Sequence, residues 1–374
     1  MPALPHRLLC SNTSGNTQKN KMPVAYDHLI IGQGLAGSLL AWELIHRGQT
    51  VMVIDDDLKH SASKVAAGLI NPLPGKRFNR PAETQVWLDH AHALFADIQK
   101  ISGNQYFHAI DMLRLLHLDE QHRFIERQLA LPDSNNFIDQ ILDKDAIDDN
   151  IHAPLGGFMQ KQTGYLDIPL LLKDIREWLM TQNAYQQASI SYSDMNIDDI
   201  GVTLNNIHAT DVIFCEGYGL CNNPWFQHLP LQPDKGEFFT LKTQEPITEH
   251  IINSAHWILP THDGNYRFGA THEHEKLNEQ ATEEARVQLQ QGLENLFKSL
   301  PDDLTIEQSA GVRPATSDRK PFIGTHPVND KLKLFNGFGA RGSLTIPWHA
   351  EHFVNHMLDR QPLNSDVDIA RYAL

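Results

Sequence analysis

The strongest constraint on the fold lies in residues 26–57, where a glycine-rich turn joins a buried strand to a helix. Residues 29–31 are an apolar run typical of a strand buried on both faces. The turn G-x-G-x-x-G follows at positions 32–37, and apolar residues then recur at helical spacing as far as Gly48. A second apolar strand, residues 51–54, ends at an acid. This unit predicts a Rossmann-like α/β fold that binds a dinucleotide.

Each glycine of the turn has its own task. Gly32 allows the tight turn, Gly34 lets the backbone approach a pyrophosphate, and Gly37 lets helix and strand pack closely. The helix begins with Leu35 and Ala36, where free N–H groups and the positive end of the helix dipole favour phosphate. The alternative reading is a glycine turn that only packs.

The second strand ends on two acids, Asp55 and Asp56. Asp55 lies 18 residues after Gly37, where a carboxylate can accept hydrogen bonds from ribose hydroxyls. An acid at this position argues against the 2′-phosphate of NADP. The dinucleotide is therefore expected to have a ribose without a 2′-phosphate.

Length, charge and cysteine content exclude several classes of protein. At about 150 residues per domain, 374 residues predict two or three domains. The chain has 46 acidic and 31 basic residues, and its formal charge of -15 makes nucleic acid an unfavourable partner. Three cysteines without a C-x-x-C pair argue against a disulfide framework or structural zinc, and we expect a reducing, cytoplasmic location. No apolar run approaches the ~20 residues needed to span a bilayer.

Residues 1–23 are polar beyond a short, interrupted apolar stretch, and this composition predicts a disordered tail. Met22 is an alternative start, and a chain beginning there is expected to fold and hold its cofactor unchanged. The 21 histidines suggest no metal site. His90 and His92 are two apart and cannot share a helix face. His272 and His274 flank Glu273 and are expected to be solvated or to cap a turn.

Small residues dominate the segment after the second strand, HSASKVAAGLINP at positions 60–72. A backbone this bare, at Ser63, Ala66, Ala67 and Gly68, can lie against a flat ring. The segment resembles the S-x-x-A-A-G of the FAD-dependent D-amino-acid oxidase superfamily, which includes glycine oxidase and sarcosine oxidase. Four further motifs and a glycine-rich turn follow in that family's order: 209–219 (ATDVIFCEGYG), 235–237 (KGE), 264–271 (GNYRFGAT), 311–324 (GVRPATSDRKPFIG) and 334–348 (LFNGFGARGSLTIPW). The resemblance covers roughly residues 26–355.

The resemblance implies non-covalent FAD and a discontinuous FAD-binding domain, made of residues 24–80, 164–225 and 308–374. The intervening residues 81–163 and 226–307 would form an α+β substrate domain around an antiparallel sheet. Beyond the residues already named, it implies cofactor contacts at Cys215, Gly217, Gly337, Gly339, Ala340, Arg341, Gly342 and Ser343. Sarcosine oxidases attach FAD through a cysteine, and in this chain Gly311 stands near the position of that cysteine. The resemblance therefore favours a non-covalent flavin here.

The activity implied is oxidation of the C–N bond of a small amino acid or secondary amine. A hydride passes to flavin N5, water hydrolyses the imine, and the electrons go to O2 or another acceptor. Two alternatives are kept open. One is oxidation of a modified tRNA wobble uridine, as in the oxidase domain of a bacterial bifunctional enzyme. The other is an FAD-binding or redox-sensing subunit without turnover.

The resemblance also suggests the residues that meet the substrate. Arg313, in the G-x-R-P segment, would hold the substrate carboxylate, and the alternative is a structural ion pair with Asp318 or Glu307. Trp257 stands where glycine oxidase-like proteins tend to place a tyrosine. Arg267 falls about where sarcosine oxidases use a lysine to favour reaction with oxygen, and it could serve the reduced flavin's charge or pair with an acid. Arg341 is a second candidate for anion contact.

Overall fold

The computed structural model describes residues 24–58 and 61–372, so the disordered tail predicted for residues 1–23 lies outside the described residues. The strands are β1 (Val24–Ile31), β2 (Val51–Asp55), β3 (Leu69–Ile70), β4 (Phe107–Ala109), β5 (Met112–Leu115), β6 (Ile138–Leu142), β7 (Gly157–Gln160), β8 (Gly164–Leu166), β9 (Tyr185–Gln187), β10 (Met195–Ile197), β11 (Val202–Leu204), β12 (Ile207–Phe214), β13 (Asp234–Lys242), β14 (Ile251–Asn253), β15 (Trp257–Pro260), β16 (Tyr266–Gly269), β17 (Thr305–Arg313), β18 (Phe322–Thr325) and β19 (Leu332–Asn336). The α-helices are α1 (Leu35–His46), α2 (Ala62–Val65), α3 (Thr84–Ser102), α4 (Glu120–Leu129), α5 (Ile168–Thr181), α6 (Glu283–Leu296) and α7 (Gly342–Asp359).

The first sheet has a parallel core with the order β12-β1-β2-β9, and β19 pairs in parallel with β12 on its other side. β1, α1 and β2 confirm the strand–helix–strand unit, and Gly48 follows α1 with a φ of +79°. Further along the chain, α5 precedes β9, and β12 returns to the centre of the sheet beside β1. The carboxyl ends of β1, β2 and β12 meet at one edge, which is where parallel α/β sheets bind ligands.

Two apolar layers hold the first sheet. On one face, α1, α3, α5 and α7 pack around fully buried side chains such as Leu39, Leu171 and Phe353. The opposite face packs β10, β11 and the loop after β12 around Leu29 and Phe214. Both faces of β1 and β12 are therefore covered, which explains why their sequences are nearly continuous apolar runs.

The second sheet has the order β17-β13-β16-β15-β14-β5-β7-β6, with antiparallel neighbours except for the parallel pair β14 and β5. One face packs against α6, whose Leu289 and Leu293 meet Phe239 and Phe268. The other face of β13, β15 and β17 turns toward the first sheet. β17 belongs to this second sheet, so the domain boundary proposed at residue 308 falls inside that strand.

Candidate active site

The glycine turn after β1 brings β1, α1 and the end of β12 into direct contact. Gly32 has a φ of +102°, and a Cβ there would lie 2.6 Å from the Cys215 carbonyl oxygen. A Cβ on Gly37 would overlap the Gly32 carbonyl oxygen. Both positions therefore accept only glycine, and the absence of side chains lets the helix begin directly against the sheet.

The N-terminus of α1 opens toward a cavity. Gly34 precedes the helix in an extended conformation and contributes no side-chain cap. The Leu35 N–H donates to the Ser63 hydroxyl oxygen at 3.0 Å, which holds that hydroxyl at the helix end. Donors concentrated at the positive end of a helix dipole suit a diphosphate.

Asp55 is held at the end of β2 by two backbone donors. One carboxylate oxygen accepts from the Gln33 N–H at 2.7 Å, and the other accepts from the Asp57 N–H at 2.8 Å. Gln33 is itself fixed, because its side-chain oxygen accepts from Arg176 Nε at 2.9 Å. Each Asp55 oxygen keeps a further lone pair for a ribose hydroxyl.

The cavity between the two sheets has a volume of about 800 Å³. One side is formed by residues 32–36, 55–56 and 61–68, which we call the glycine cradle. The cavity lining includes these predicted site residues: Gly32, Gly34, Leu35, Ala36, Asp55, Asp56, Ser63, Ala66, Ala67, Gly68, Cys215, Gly217, Trp257, Arg313, Gly339, Ala340, Arg341, Gly342 and Ser343. The tertiary structure thus brings together residues spread over more than 300 positions of the chain.

Three predicted site residues lie outside this lining: Gly37, Gly337 and Arg267. Gly37 serves helix packing, and Gly337 has a φ of +81° in a turn against Thr316. Arg267 donates from Nη1 to the Ala66 carbonyl oxygen at 2.7 Å, behind the cradle. Within residues 24–58 and 61–372, Arg267 forms no ion pair, and burial lowers the pKa of its guanidinium. Its visible contact is thus with the cradle backbone rather than with an acid.

The thiol that lines the cavity is not disposed for covalent attachment. Burial raises the pKa of the Cys215 thiol well above its ordinary value, so the reactive thiolate is disfavoured. Gly311 also lines the cavity, where a Cβ would overlap Val65 of α2. β17 and the cradle therefore approach each other closely at a residue without a side chain.

The second sheet supplies the opposite side of the cavity. Gly236, Phe238, Trp257, Gly311 and Arg313, which we call the sheet wall, all line it from β13, β15 and β17. Trp257 presents a large, partly buried aromatic face to the cavity. This wall faces the cradle across the space available to a flat ring and a small ligand.

Arg313 has an ion partner that the sequence did not indicate. β13 and β17 pair in antiparallel register so that Asp234 lies opposite Arg313. The Arg313 Nη1 atom donates to Asp234 Oδ2 at 2.7 Å, and His272 Nδ1 lies 2.8 Å from the same oxygen. Burial opposes ionisation of Asp234, but His272 and Arg313 outweigh it and hold the pKa of the carboxyl below its ordinary value.

The two acids proposed from sequence as partners of Arg313 are engaged elsewhere. Asp318 lies 2.9 Å from Arg371, and Glu307 lies 2.6 Å from Lys242. The signal that could have identified Asp234 is its position directly before the K-G-E segment. Only the strand register, however, sets it beside Arg313.

Arg341 differs from Arg313 because no acidic side chain of the described residues pairs with it. Its Nε and Nη2 atoms are buried and find no hydrogen-bond acceptor in the described part of the chain. The guanidinium stacks over Trp87 of α3 at 5.2 Å from the ring centroid, and Trp87 Nε1 is also buried and unpartnered. Burial lowers the pKa of Arg341. Arg341 lines the cavity, but these two nitrogens are buried within the protein rather than exposed to the cavity.

No group of three or more metal-ligating side chains occurs among the residues described. His90 pairs with Glu351 at 2.8 Å, whereas His92 stacks on Phe107 with ring centroids 4.7 Å apart. None of the described helices combines the length and the apolar character that crossing a membrane requires.

Comparison with known proteins identifies the cofactor suited to this cavity. A family model described as FAD-dependent oxidoreductase (DAO) matches residues 27–356. The chain is 24% identical to glycine oxidase of Pseudomonas aeruginosa, over 92% of this chain and 97% of that protein. It is also 24% identical to the tRNA 5-methylaminomethyl-2-thiouridine biosynthesis bifunctional protein MnmC of Legionella pneumophila, over 88% of this chain but 50% of that protein.

The fold is similar to that of glycine oxidase from Geobacillus kaustophilus, with a TM-score of 0.79, 19% identity, and coverage of 94% of this chain and 100% of that one. The cradle fits FAD on its own geometry: glycines leave room for the diphosphate, Asp55 can accept the ribose hydroxyls, and small residues border the ring space. The chain belongs to the DAO family of FAD-dependent oxidoreductases.

Proposed function

We propose that this protein oxidises the C–N bond of a small amino acid or secondary amine bound between the glycine cradle and the sheet wall. The observation that carries the proposal is the pair of guanidiniums, Arg313 and Arg341, at the same cavity as the FAD cradle. They come from different elements, β17 and the turn before α7. The similarity to proteins named glycine oxidase supports the same substrate class.

FAD, when bound, supplies a two-electron acceptor for the hydride that leaves the carbon beside the nitrogen. Loss of this hydride and of one proton from the nitrogen leaves an imine, which water converts to a carbonyl compound and ammonia or, from a secondary amine, a primary amine. We assign O2 or another acceptor to the return of the cofactor to its oxidised form. The chain's own residues bind and orient the amine.

Arg313 is suited to orienting a carboxylate. One of its nitrogens is occupied by Asp234, while Nε and Nη2 make no hydrogen bond within the described chain. That free edge can donate two parallel hydrogen bonds to one carboxylate. Trp257 supplies the apolar surface that displaces water beside it, and Arg341 brings a second positive charge to the cavity lining from another side. We propose these three residues as the substrate contacts.

The direct test is anaerobic addition of candidate amines to the yellow holoprotein. Glycine, sarcosine, iminodiacetate and small D-amino acids should be compared with the same amines lacking a carboxylate. We expect the flavin absorbance to bleach with at least one carboxylate-bearing amine and to return on admission of air or an artificial acceptor. Bleaching only by amines without a carboxylate would contradict the assignment of Arg313 and Arg341.

A second candidate, oxidation of a secondary amine on a wobble uridine, has support from the similarity to half of MnmC. The formal charge of -15 disfavours contact with RNA. An RNA oligonucleotide carrying such an amine distinguishes the two: bleaching by the oligonucleotide but by no free amino acid would favour the RNA substrate. If neither bleaches the flavin, a binding or redox-sensing subunit becomes the better reading.

A further inference from the structure

The acid beside Arg313 is buried and is held in place by two neighbouring side chains. Asp234 is only 8% exposed, and its Oδ2 atom takes both the Arg313 Nη1–H and the contact from His272. Its other oxygen, Oδ1, is buried and has no hydrogen-bond partner among residues 24–58 and 61–372. The negative charge is therefore fixed close to the guanidinium.

The backbone beneath Arg313 fixes the guanidinium as firmly as the acid does. A Cβ on Gly236 would overlap the guanidinium nitrogens, so the flat group rests directly on the Gly236 backbone. With Nη1 tied to Asp234, the Nε and Nη2 edge is the one left for a ligand. A carboxylate bound there would lie near a second, fixed negative charge.

We propose that Asp234 is a specificity-determining residue that neutralises Arg313 and so limits how tightly the sheet wall holds a carboxylate. The inference rests on the proposed function, because it concerns the ligand of the same cavity. Arg313 then fixes the orientation of a carboxylate through directed hydrogen bonds and adds little net electrostatic attraction. Arg341, which has no counter-charge in the described chain, contributes the stronger attraction for an anion.

The consequence for the substrate class is a wall that tolerates uncharged groups. A neutral amide can accept hydrogen bonds from Arg313 without meeting repulsion from Asp234. A carboxylate gains from the guanidinium but is repelled by the neighbouring acid. The protein should therefore discriminate only weakly between a carboxylate and its amide, whereas an unpaired arginine would favour the carboxylate strongly.

The experiment measures dissociation constants from the change in flavin absorbance when glycolate or its neutral analogue glycolamide binds to the holoprotein. Asp234→Asn keeps an acceptor for Arg313 but removes the charge. We expect its dissociation constant for glycolate to fall roughly tenfold, and that for glycolamide to change less than about twofold. Asp234→Ala removes the positioning contact as well, so it should gain less affinity for glycolate than Asp234→Asn.

Asp318→Asn is the matched control, because it also removes an arginine-paired carboxylate, but its partner Arg371 does not line the cavity, whereas Arg313 does. It should leave both dissociation constants unchanged. Equal glycolate affinity in the wild type and Asp234→Asn would overturn the inference, as would a parallel loss of affinity for both ligands, which is the mark of a purely structural role. These readings need no turnover. They therefore separate failure of the Asp234 inference from failure of the proposed function, which is judged by bleaching with amines.

Discussion

The glycine cradle and the sheet wall present different kinds of surface to the cavity between them. The cradle uses backbone: two glycines admit close contact at the turn, and N–H groups hold the Ser63 hydroxyl and the Asp55 carboxylate. The sheet wall presents side chains, chiefly Trp257 and Arg313, and the positive charge of Arg313 is offset by Asp234 on the neighbouring strand β13. Changes to the cradle should therefore remove the cofactor, whereas changes to the wall should alter the substrate and leave FAD bound.

The largest effect is expected for Gly34→Val, which should abolish flavin binding. A branched side chain at the start of α1 would occupy space that the diphosphate needs, and its Cβ already lies 3.1 Å from the Ser63 hydroxyl oxygen. The measurement is the ratio of flavin to protein absorbance after purification. Gly48→Asn is the control, because a Cβ at Gly48 would have no neighbouring atom within 4 Å, and this variant should retain a full complement of FAD.

Wild-type protein precipitated with acid should release its flavin into the supernatant, as expected of a non-covalent cofactor. Yellow colour that stays in the pellet would contradict non-covalent binding and reopen the role of Cys215. A Gly34→Val protein with a full complement of flavin would show that the cradle tolerates a side chain at the position where we expect the diphosphate to need bare backbone.

Arg341→Ala and Arg313→Ala test the other side of the comparison. Each removes charge-assisted hydrogen bonds of about 1.5–3 kcal/mol apiece, about 3–4 kcal/mol in total, so kcat/KM for an amino-acid substrate should fall roughly 10²–10³-fold. The loss should be greater for Arg341, which has no neutralising acid in the described chain. Lysine at either position should recover only part, since a point charge cannot form the fork.

Steady-state kinetics and flavin content together decide the outcome of the arginine variants. FAD content should stay near that of the wild type in both. A variant that keeps its kcat/KM but loses FAD would move that arginine from the substrate side to the cofactor side.

A smaller effect is expected for Gly236→Ala. The added methyl would displace the guanidinium of Arg313 from the backbone on which it rests, and kcat/KM should fall about tenfold with normal FAD content. The double variant Gly236→Ala/Arg313→Ala should be no worse than Arg313→Ala alone, because the two changes act through one group. Additive losses would indicate that Gly236 meets the substrate independently.

The smallest effect concerns Glu43, on α1 behind the cradle. Burial, with added repulsion from Glu351, raises the pKa of its carboxyl to about 7 from 4.5. The folded state therefore holds this proton more tightly than the unfolded chain. The associated stability is complete below pH 4.5 and is lost as the pH rises through about 7.

Glu43→Gln should remove this pH dependence without touching either ligand site. Compared with the wild type, the variant should be more stable above pH 7 by about 1–2 kcal/mol after allowance for partial exposure, and its Tm should be higher there by about 1–3 °C. Thermal unfolding at pH 5 and pH 8 provides the measurement. An unchanged kcat/KM and FAD content are expected, and a Tm gain of equal size at both pH values would argue against titration of Glu43 as the cause.

Residues 26–57 determined the cofactor half of this protein from sequence alone. Strand, turn, helix and acid are contiguous, and their periodicity and spacing directly encode the β1–α1–β2 unit. Gly37 and Asp55 could be assigned because the backbone groups that they meet, at Gly32 and Gln33, lie within the same unit. The resemblance to the FAD-dependent family extended this reading to segments such as 66–68 and 339–343.

Only the tertiary structure decided the substrate side. Asp234 and Arg313 are 79 residues apart and meet because β13 and β17 pair in one particular register, which no local pattern specifies. A shift of either strand by one residue would put these two side chains on opposite faces of the sheet. Arg267 likewise lies against Ala66, 201 residues away, rather than in the cavity. The charge of a side chain can be read from the sequence. The counter-charge that weakens its attraction for a ligand depends on which strands become neighbours.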